Sequence, residues 1–248
     1  MLLRLAIPIL VACIAIPLTA QTITIQPSAP GPVTETRTFA LQSGGSLKID
    51  WKNGDISVSS WDNDEVALKA DFTPTIYGKI HSKVEIKSDV NSLKLTVEHP
   101  EKTEIGYVKL ELKVPSHIAA SDIKTQIGAI ALEEITGKIN AKTQHGDIDL
   151  KNVSGNINAS TQFGNVKGNI QSIDDNLDAS TQFGNVRLKL LNPNGALEAS
   201  TQYGSIRIPP GARDIEAEKG NDRCVIKARY GGNAMMRFSA QHGSVVIQ

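Results

Sequence analysis

Six segments of this chain share one frame: TQIGAIAL (125–132), TQHGDIDL (143–150), TQFGNVKG (161–168), TQFGNVRL (181–188), TQYGSIRI (201–208) and AQHGSVVI (240–247). Their glycines are spaced by 18, 18, 20, 20 and 39 residues. A short fixed period marks stacked units, none of which can bury its apolar face alone. A finer ruler runs through the aliphatic series Ile130, Ile139, Ile148, Ile157, Val166, Leu177, Val186, Leu197, Ile206, Ile215, Cys224, Met236, Val245, in which nine of twelve steps are nine residues. Each coil therefore holds two strands. Within them Ile139-x-Ala141-x-Thr143 and Ile148-x-Leu150 alternate with period two, as strands with one buried face must. Val153 and Ile135 supply a short third side.

The expected fold is all-β: a parallel β-solenoid of about seven 18–20-residue coils, a rod of roughly 35 Å at about 4.8 Å per rung, with an N-terminal strand-rich cap. Steps of nine do not match three sixes, which argues against a left-handed hexapeptide helix. The calcium-binding nonapeptide pattern fits only at Asp147 and Asp149, so no calcium array is expected. The 39-residue gap should hold a degenerate coil, with Ile215, Ala217, Cys224 and Ile226 inward. The steps of 11, 11 and 12 residues all follow the GxIxL strand, which places loops at 168–176, 189–196 and 227–234 on one edge. The chain finishes GSVVIQ on a coil strand, so an open edge is expected at Val245–Ile247, where a partner strand could add and cause self-association.

Residues 37–116 are strand-rich but less regular and should form an antiparallel or mixed β cap blending into the solenoid from 117. KNGD (52–55) fits a type I′ hairpin turn, yet WKNGDISV (51–58) also overlays TQHGDIDL as an early coil. Residues 21–36, with Pro27, Pro30 and Pro32, read as a semi-extended linker. Residues 1–20 combine Arg4, an apolar run and Ala20 before Gln21, the pattern of a secretory signal peptide. LVAC (10–13) offers a lipoprotein alternative at Cys13. Either leader, or an uncleaved one, sends the body out of the cytoplasm, and membrane contact is expected only through such an anchor.

Composition excludes some classes. With 26 Lys+Arg against 26 Asp+Glu the chain is neutral, which does not suit a nucleic-acid binder. Two cysteines, Cys13 and Cys224, make no disulfide framework, and Cys224 is expected as a buried structural thiol. The histidines (His81, His99, His117, His145, His242) show no ligand spacing, so neither metal nor cofactor is expected.

FALQSGGSLKIDWKNGDISVSSWDNDEV, KLELKVPSHIAASDIKTQIGAIAL and the repeated GxIxAxTxxGxI together resemble the bacterial putative-adhesin family also called Toastrack, and more loosely the GIN-type head domains. The resemblance covers residues 37–248. It implies a β-helical extracytoplasmic domain, often tethered at the envelope, with proposed roles in adhesion or envelope-stress assemblies, no established enzymatic activity and no catalytic residues to carry over.

The variable position of TQxG is Ile127, His145, Phe163, Phe183, Tyr203 and, in the last coil, His242. Stacking makes these a ladder. Phe163, Phe183, Tyr203 and His145 form the candidate binding strip if the ladder is exposed, where aromatic faces would meet sugar rings or a protein. Ile127 and the two phenylalanines favour instead a ladder turned into the corner of the core, whereas His145 and His242 point to partial solvent access. The glutamines Gln126, Gln144, Gln162, Gln182, Gln202 and Gln241 are expected to stack through amide hydrogen bonds. The threonines and serines of AxTQ and ASTQ should point to opposite faces, which disfavours a flat ice-binding array. The resulting expectation is a non-enzymatic interaction module that binds an envelope protein or surface glycan through one solenoid face or the loop edge. The alternative is a carbohydrate-active lyase or glycosidase, for which Asp147, Asp149, Asp174 and Asp175 are the available carboxylates.

Overall fold

The computed structural model describes residues 21–26, 32–73, 82–98, 106–220 and 222–248. The leader, Cys13, His81 and His99 lie outside the described residues. Among these there are twenty strands: β1 (Gln21–Ile25), β2 (Val33–Ala40), β3 (Ser46–Asp50), β4 (Ile56–Trp61), β5 (Glu65–Thr73), β6 (Lys83–Ser88), β7 (Ser92–Glu98), β8 (Tyr107–Pro115), β9 (His117–Ile127), β10 (Ile130–Glu133), β11 (Thr136–His145), β12 (Ile148–Phe163), β13 (Val166–Phe183), β14 (Val186–Leu190), β15 (Ala196–Tyr203), β16 (Ile206–Arg207), β17 (Arg213–Lys219), β18 (Cys224–Arg229), β19 (Met235–His242) and β20 (Val245–Ile247).

The repeat pairs in parallel and in the register that the ruler demands: Ile139↔Ile157 and Ala141↔Ala159, Ile148↔Val166, Val166↔Val186. Inward aliphatics of successive rungs therefore meet like with like. One continuous core runs from Ile25 to Ile247 and includes the third-side residues Ile135 and Val153. The corner after TQx needs glycine for two reasons. Gly164 has φ +153°, and a Cβ there would overlap the Gly146 carbonyl of the rung below.

At both ends the stacking order departs from the sequence order. At the N-terminal end β3 lies between β7 and β9, and β4 between β8 and β10, all parallel. WKNGDISV is thus a rung of the solenoid: the Gly54 amide donates to the Ile127 carbonyl at 2.8 Å, so KNGD is a coil corner and not a hairpin turn. The expected boundary near 116 separates no cores. Antiparallel strands do cover this end, β6 and β1 outside β7 and β5 and β2 outside β8. Residues 21–25, expected as linker, are strand β1 with Ile25 buried, because TITI alternates and matches the apolar face of β6.

At the other end β19 inserts between β13 and β15, and β20 between β14 and β16. The expected open edge at Val245–Ile247 is therefore interior, and Val245 and Ile247 are fully buried. The degenerate coil is absent as well. Residues 213–219 and 224–229 pair antiparallel as β17 and β18, with β18 antiparallel on β15. KGND has replaced TQxG there, and the Gly220 amide bonds the Arg223 carbonyl at 2.8 Å, closing a reversal where a coil corner would have continued the stack. Ile215 is accordingly 58% exposed, and Cys224 is only half-buried and not sealed in the core. The edge is instead β17, exposed along its length and charged at Arg213, Asp214, Glu216, Glu218 and Lys219, which discourages strand addition.

Of the expected loops, 168–176 stays within β13. Its two extra residues are absorbed as register shifts against β12.

Candidate functional site

The corner between the two long sides of the rod is built by TQxG. Thr143, Thr161, Thr181 and Thr201 point inward and are buried. Each Oγ1 donates to a glycine carbonyl of the adjacent rung: Thr143 to Gly128 at 3.0 Å, Thr161 to Gly146 at 2.9 Å, Thr181 to Gly164 at 2.8 Å and Thr201 to Gly243 at 2.7 Å. The hydroxyls fill the inner corner and satisfy acceptors that would otherwise be buried unpaired. Strict alternation would send the next-but-one residue inward too, but the bend at glycine turns it out.

The ladder, expected as core from Ile127 and the phenylalanines, is therefore exposed: Phe163 by 41%, Phe183 by 44%, Tyr203 by 53% and Ile127 by 47%. Because β19 is inserted, the order in space is His145, Phe163, Phe183, His242, Tyr203. The rings stack at centroid distances of 4.8, 5.0, 4.7 and 4.9 Å with interplanar angles of 3°, 4°, 1° and 15°. His242 closes the gap between Phe183 and Tyr203, a neighbour relation that chain order hides. The stacking also alters the chemistry. Ring faces cover one another along the row, so the rail shows solvent mainly ring edges, and face stacking on a sugar is left to the terminal rings, His145 and Tyr203.

Beside the rail the outward residues of β9, β11, β12, β13, β19 and β15 line an open groove of about 950 Å³. It runs the length of the repeat, with columns of serine and glutamine such as Ser160, Ser180, Gln162 and Gln182, Lys142 towards one end and Arg223 at the other. The glutamine side chains are exposed, and no hydrogen bond joins them among the described residues. The expected amide ladder is missing because each amide is free to bond water. The serines face outward, opposite the buried threonines, as alternation requires.

The cross-rung polar ladder lies instead one residue past the glycine, a position the sequence marks with Asp147, Asn165, Asn185, Ser244 and Ser205. Asp147 Oδ1 accepts from the Asn165 amide at 2.8 Å, Asn165 Oδ1 from the Asn185 amide at 3.0 Å, and Asn185 Oδ1 from the Ser244 amide at 2.9 Å. Asp147 is thus engaged in holding the next rung. Asp149 lies 3.7 Å from Lys167, and Asp175 accepts from Asn156. On the groove side, burial would push the Asp122 carboxyl up, but hydrogen bonds from Lys124 Nζ at 2.9 Å and Asn140 Nδ2 at 2.5 Å win and hold it below the usual range. Among the described residues no group of three or more His, Cys, Asp or Glu could hold a metal ion, and no helix is long and apolar enough to cross a membrane.

A family model and one of the solved structures agree with this architecture. The sequence model of the Toastrack DUF4097 family matches residues 14–247. A solved structure from Clostridium sporogenes ATCC 15579, titled a "putative cell adhesion protein", is 12% identical with a TM-score of 0.51, over 87% of this chain and 98% of its own. A "putative adhesin" from Bacteroides fragilis NCTC 9343 is 15% identical with a TM-score of 0.49, over 88% and 99%. A "putative lipid binding protein" from Parabacteroides distasonis ATCC 8503 is 10% identical with a TM-score of 0.34, over 88% and 97%. The curated proteins contain no match.

Proposed function

The chain belongs to the Toastrack DUF4097 family, and from that membership and the geometry of the rail we propose that it is a non-catalytic, adhesin-type interaction module working outside the cytoplasm. The observation that carries this reading is the rail itself, a straight row of half-exposed rings held rigid by rung stacking. Rigid aromatics offer contact area without much conformational entropy to lose on binding. With their faces covered, their edges form an apolar ribbon suited to an extended apolar segment of an envelope protein. Phe163, Phe183, Tyr203 and His145 are the contact residues, with His242 between Phe183 and Tyr203. The engagement of Asp147 in the rung ladder supports the non-catalytic reading over a lyase or glycosidase.

The groove supports a second reading, a surface glycan hydrogen-bonded to the Ser and Gln columns. One experiment separates the two. The full chain, a Phe163→Ala/Phe183→Ala/Tyr203→Ala variant and a Gln162→Ala/Gln182→Ala variant are co-sedimented with isolated envelopes, untreated or protease-treated, after circular dichroism shows each folded. Loss in the rail variant and after protease supports the protein partner. Loss in the groove variant alone, surviving protease, supports the glycan. Equal binding by all three would sink both.

A further inference from the structure

Round the corner from the rail lies the second long side of the rod, and its charge is uneven in a way that the neutral composition conceals. From β10 to β16 its outward positions carry five cations, Lys151, Lys167, Arg187, Lys189 and Arg207, and two carboxylates, Glu133 and Asp149. Both carboxylates sit towards the N-terminal rungs. There Lys151 pairs with Glu133, and Lys167 lies 3.7 Å from Asp149. Towards the other end nothing balances the charge. Among the described residues Arg187, Lys189 and Arg207 make no ion pair, and all three are exposed.

The register sets their spacing. Lys167 and Arg187 are direct cross-strand neighbours, a like-charge pairing that costs stability in a sheet. Arg187 and Arg207 flank Val246 of β20 on either side, which places them two rungs, about 10 Å, apart. Lys189 follows Arg187 on the same face of β14. This surface is the outer face of parallel-paired strands. Exposed cations on such a surface each contribute little, but a ligand that repeats its charge along a line engages several at once, and the contributions multiply through high effective concentration.

We infer that this face binds a linear polyanion, a polymer with carboxylate or phosphate groups repeated along its length, laid along the rod over Lys167, Arg187, Lys189 and Arg207. The site uses neither the rail nor the groove, so it stands or falls independently of the proposed function.

The test measures binding of the full chain to polygalacturonate, to long-chain polyphosphate and to neutral dextran at about 150 mM salt, where the screening length is about 8 Å. An Arg187→Gln/Lys189→Gln/Arg207→Gln variant is compared with a Lys138→Gln/Arg213→Gln/Lys227→Gln variant that loses the same net charge elsewhere. All six residues are exposed, and thermal unfolding verifies each fold, with single Arg187→Gln as a substitute should the triple variant not fold. Wild type should bind at least one polyanion and not dextran, with affinity falling tenfold or more in the face variant and staying within twofold in the control. The polymer that binds identifies the anionic group. No retention of wild type by either polyanion overturns the inference, and so does an equal loss in both variants, which would reduce the effect to net charge. The rail variant should bind the polyanion as wild type does, and its loss would likewise count against a separate site.

Discussion

Replacing Gly164 by alanine tests the corner on which both the rail and the stacking depend. A Cβ at 164 would lie 2.6 Å from the Gly146 carbonyl carbon, whereas carbon atoms in contact sit about 3.5–4.0 Å apart. The two rungs must therefore part locally by about 1 Å. The Gly146 amide to Phe163 carbonyl bond and the Thr161 Oγ1 to Gly146 carbonyl bond are both 2.9 Å. Stretched by about 1 Å they pass beyond hydrogen-bonding range, at about 1 kcal/mol each. Holding alanine at φ +153° adds about 1–3 kcal/mol of strain. The sum is about 3–5 kcal/mol, a large share of the 5–15 kcal/mol typical of a domain. Gly211 provides the control, because its φ is +86° but nothing lies within 4 Å of a Cβ there, so Gly211→Ala should cost only the backbone strain, about 1–3 kcal/mol, without the about 2 kcal/mol of the two stretched bonds. Urea unfolding of both variants gives the comparison. If Gly164→Ala costs no more than Gly211→Ala, rung contact is not what demands glycine at the corner.

Thr161→Val keeps the shape but leaves the Gly146 carbonyl without its hydroxyl partner, so it should lose about 1–3 kcal/mol in the same assay, while Ser160→Ala on the outward side stays within about 0.5 kcal/mol. Val245→Asp places a charge between Val186 and Ile206 at a fully buried position and should abolish folding or cost more than about 3 kcal/mol; wild-type-like stability would mean that β20 is an edge after all. The Glu111 carboxyl is held below its usual range by hydrogen bonds from Lys109 at 2.7 Å and Lys69 at 3.2 Å. Its folded-state value being depressed, its contribution is present above the ordinary glutamate range and lost as pH falls through the folded value. Glu111→Gln should therefore flatten the acid side of a stability-against-pH curve, and an unchanged curve would contradict the pairing.

The repeated rungs were legible in the sequence because their cause is local and periodic. Ile139, Ile148 and Ile157 recur at nine residues and Gly146 and Gly164 at eighteen, and a strand with one buried face has no other way to satisfy such a pattern. The all-β class, the parallel stacking, the third side at Val153 and the opposite facing of Thr161 and Ser160 all follow from it. A period says which residues are equivalent, but not which rung lies beside which. TQFGNV at 181 would stack as well on TQYGSI at 201 as on AQHGSV at 240, and only packing at the end of the rod places His242 between Phe183 and Tyr203 and seals β20 inside. The same interleaving at the N-terminal end puts β3 between β7 and β9. Whether the ladder is core or surface was likewise decided in three dimensions, because the inner corner has room for one column and the Thr hydroxyls, bonded to the glycine carbonyls, occupy it. The excess of positive charge on β14 and β16 arises in the same way, from cations far apart in the chain that the stacking order brings onto one face.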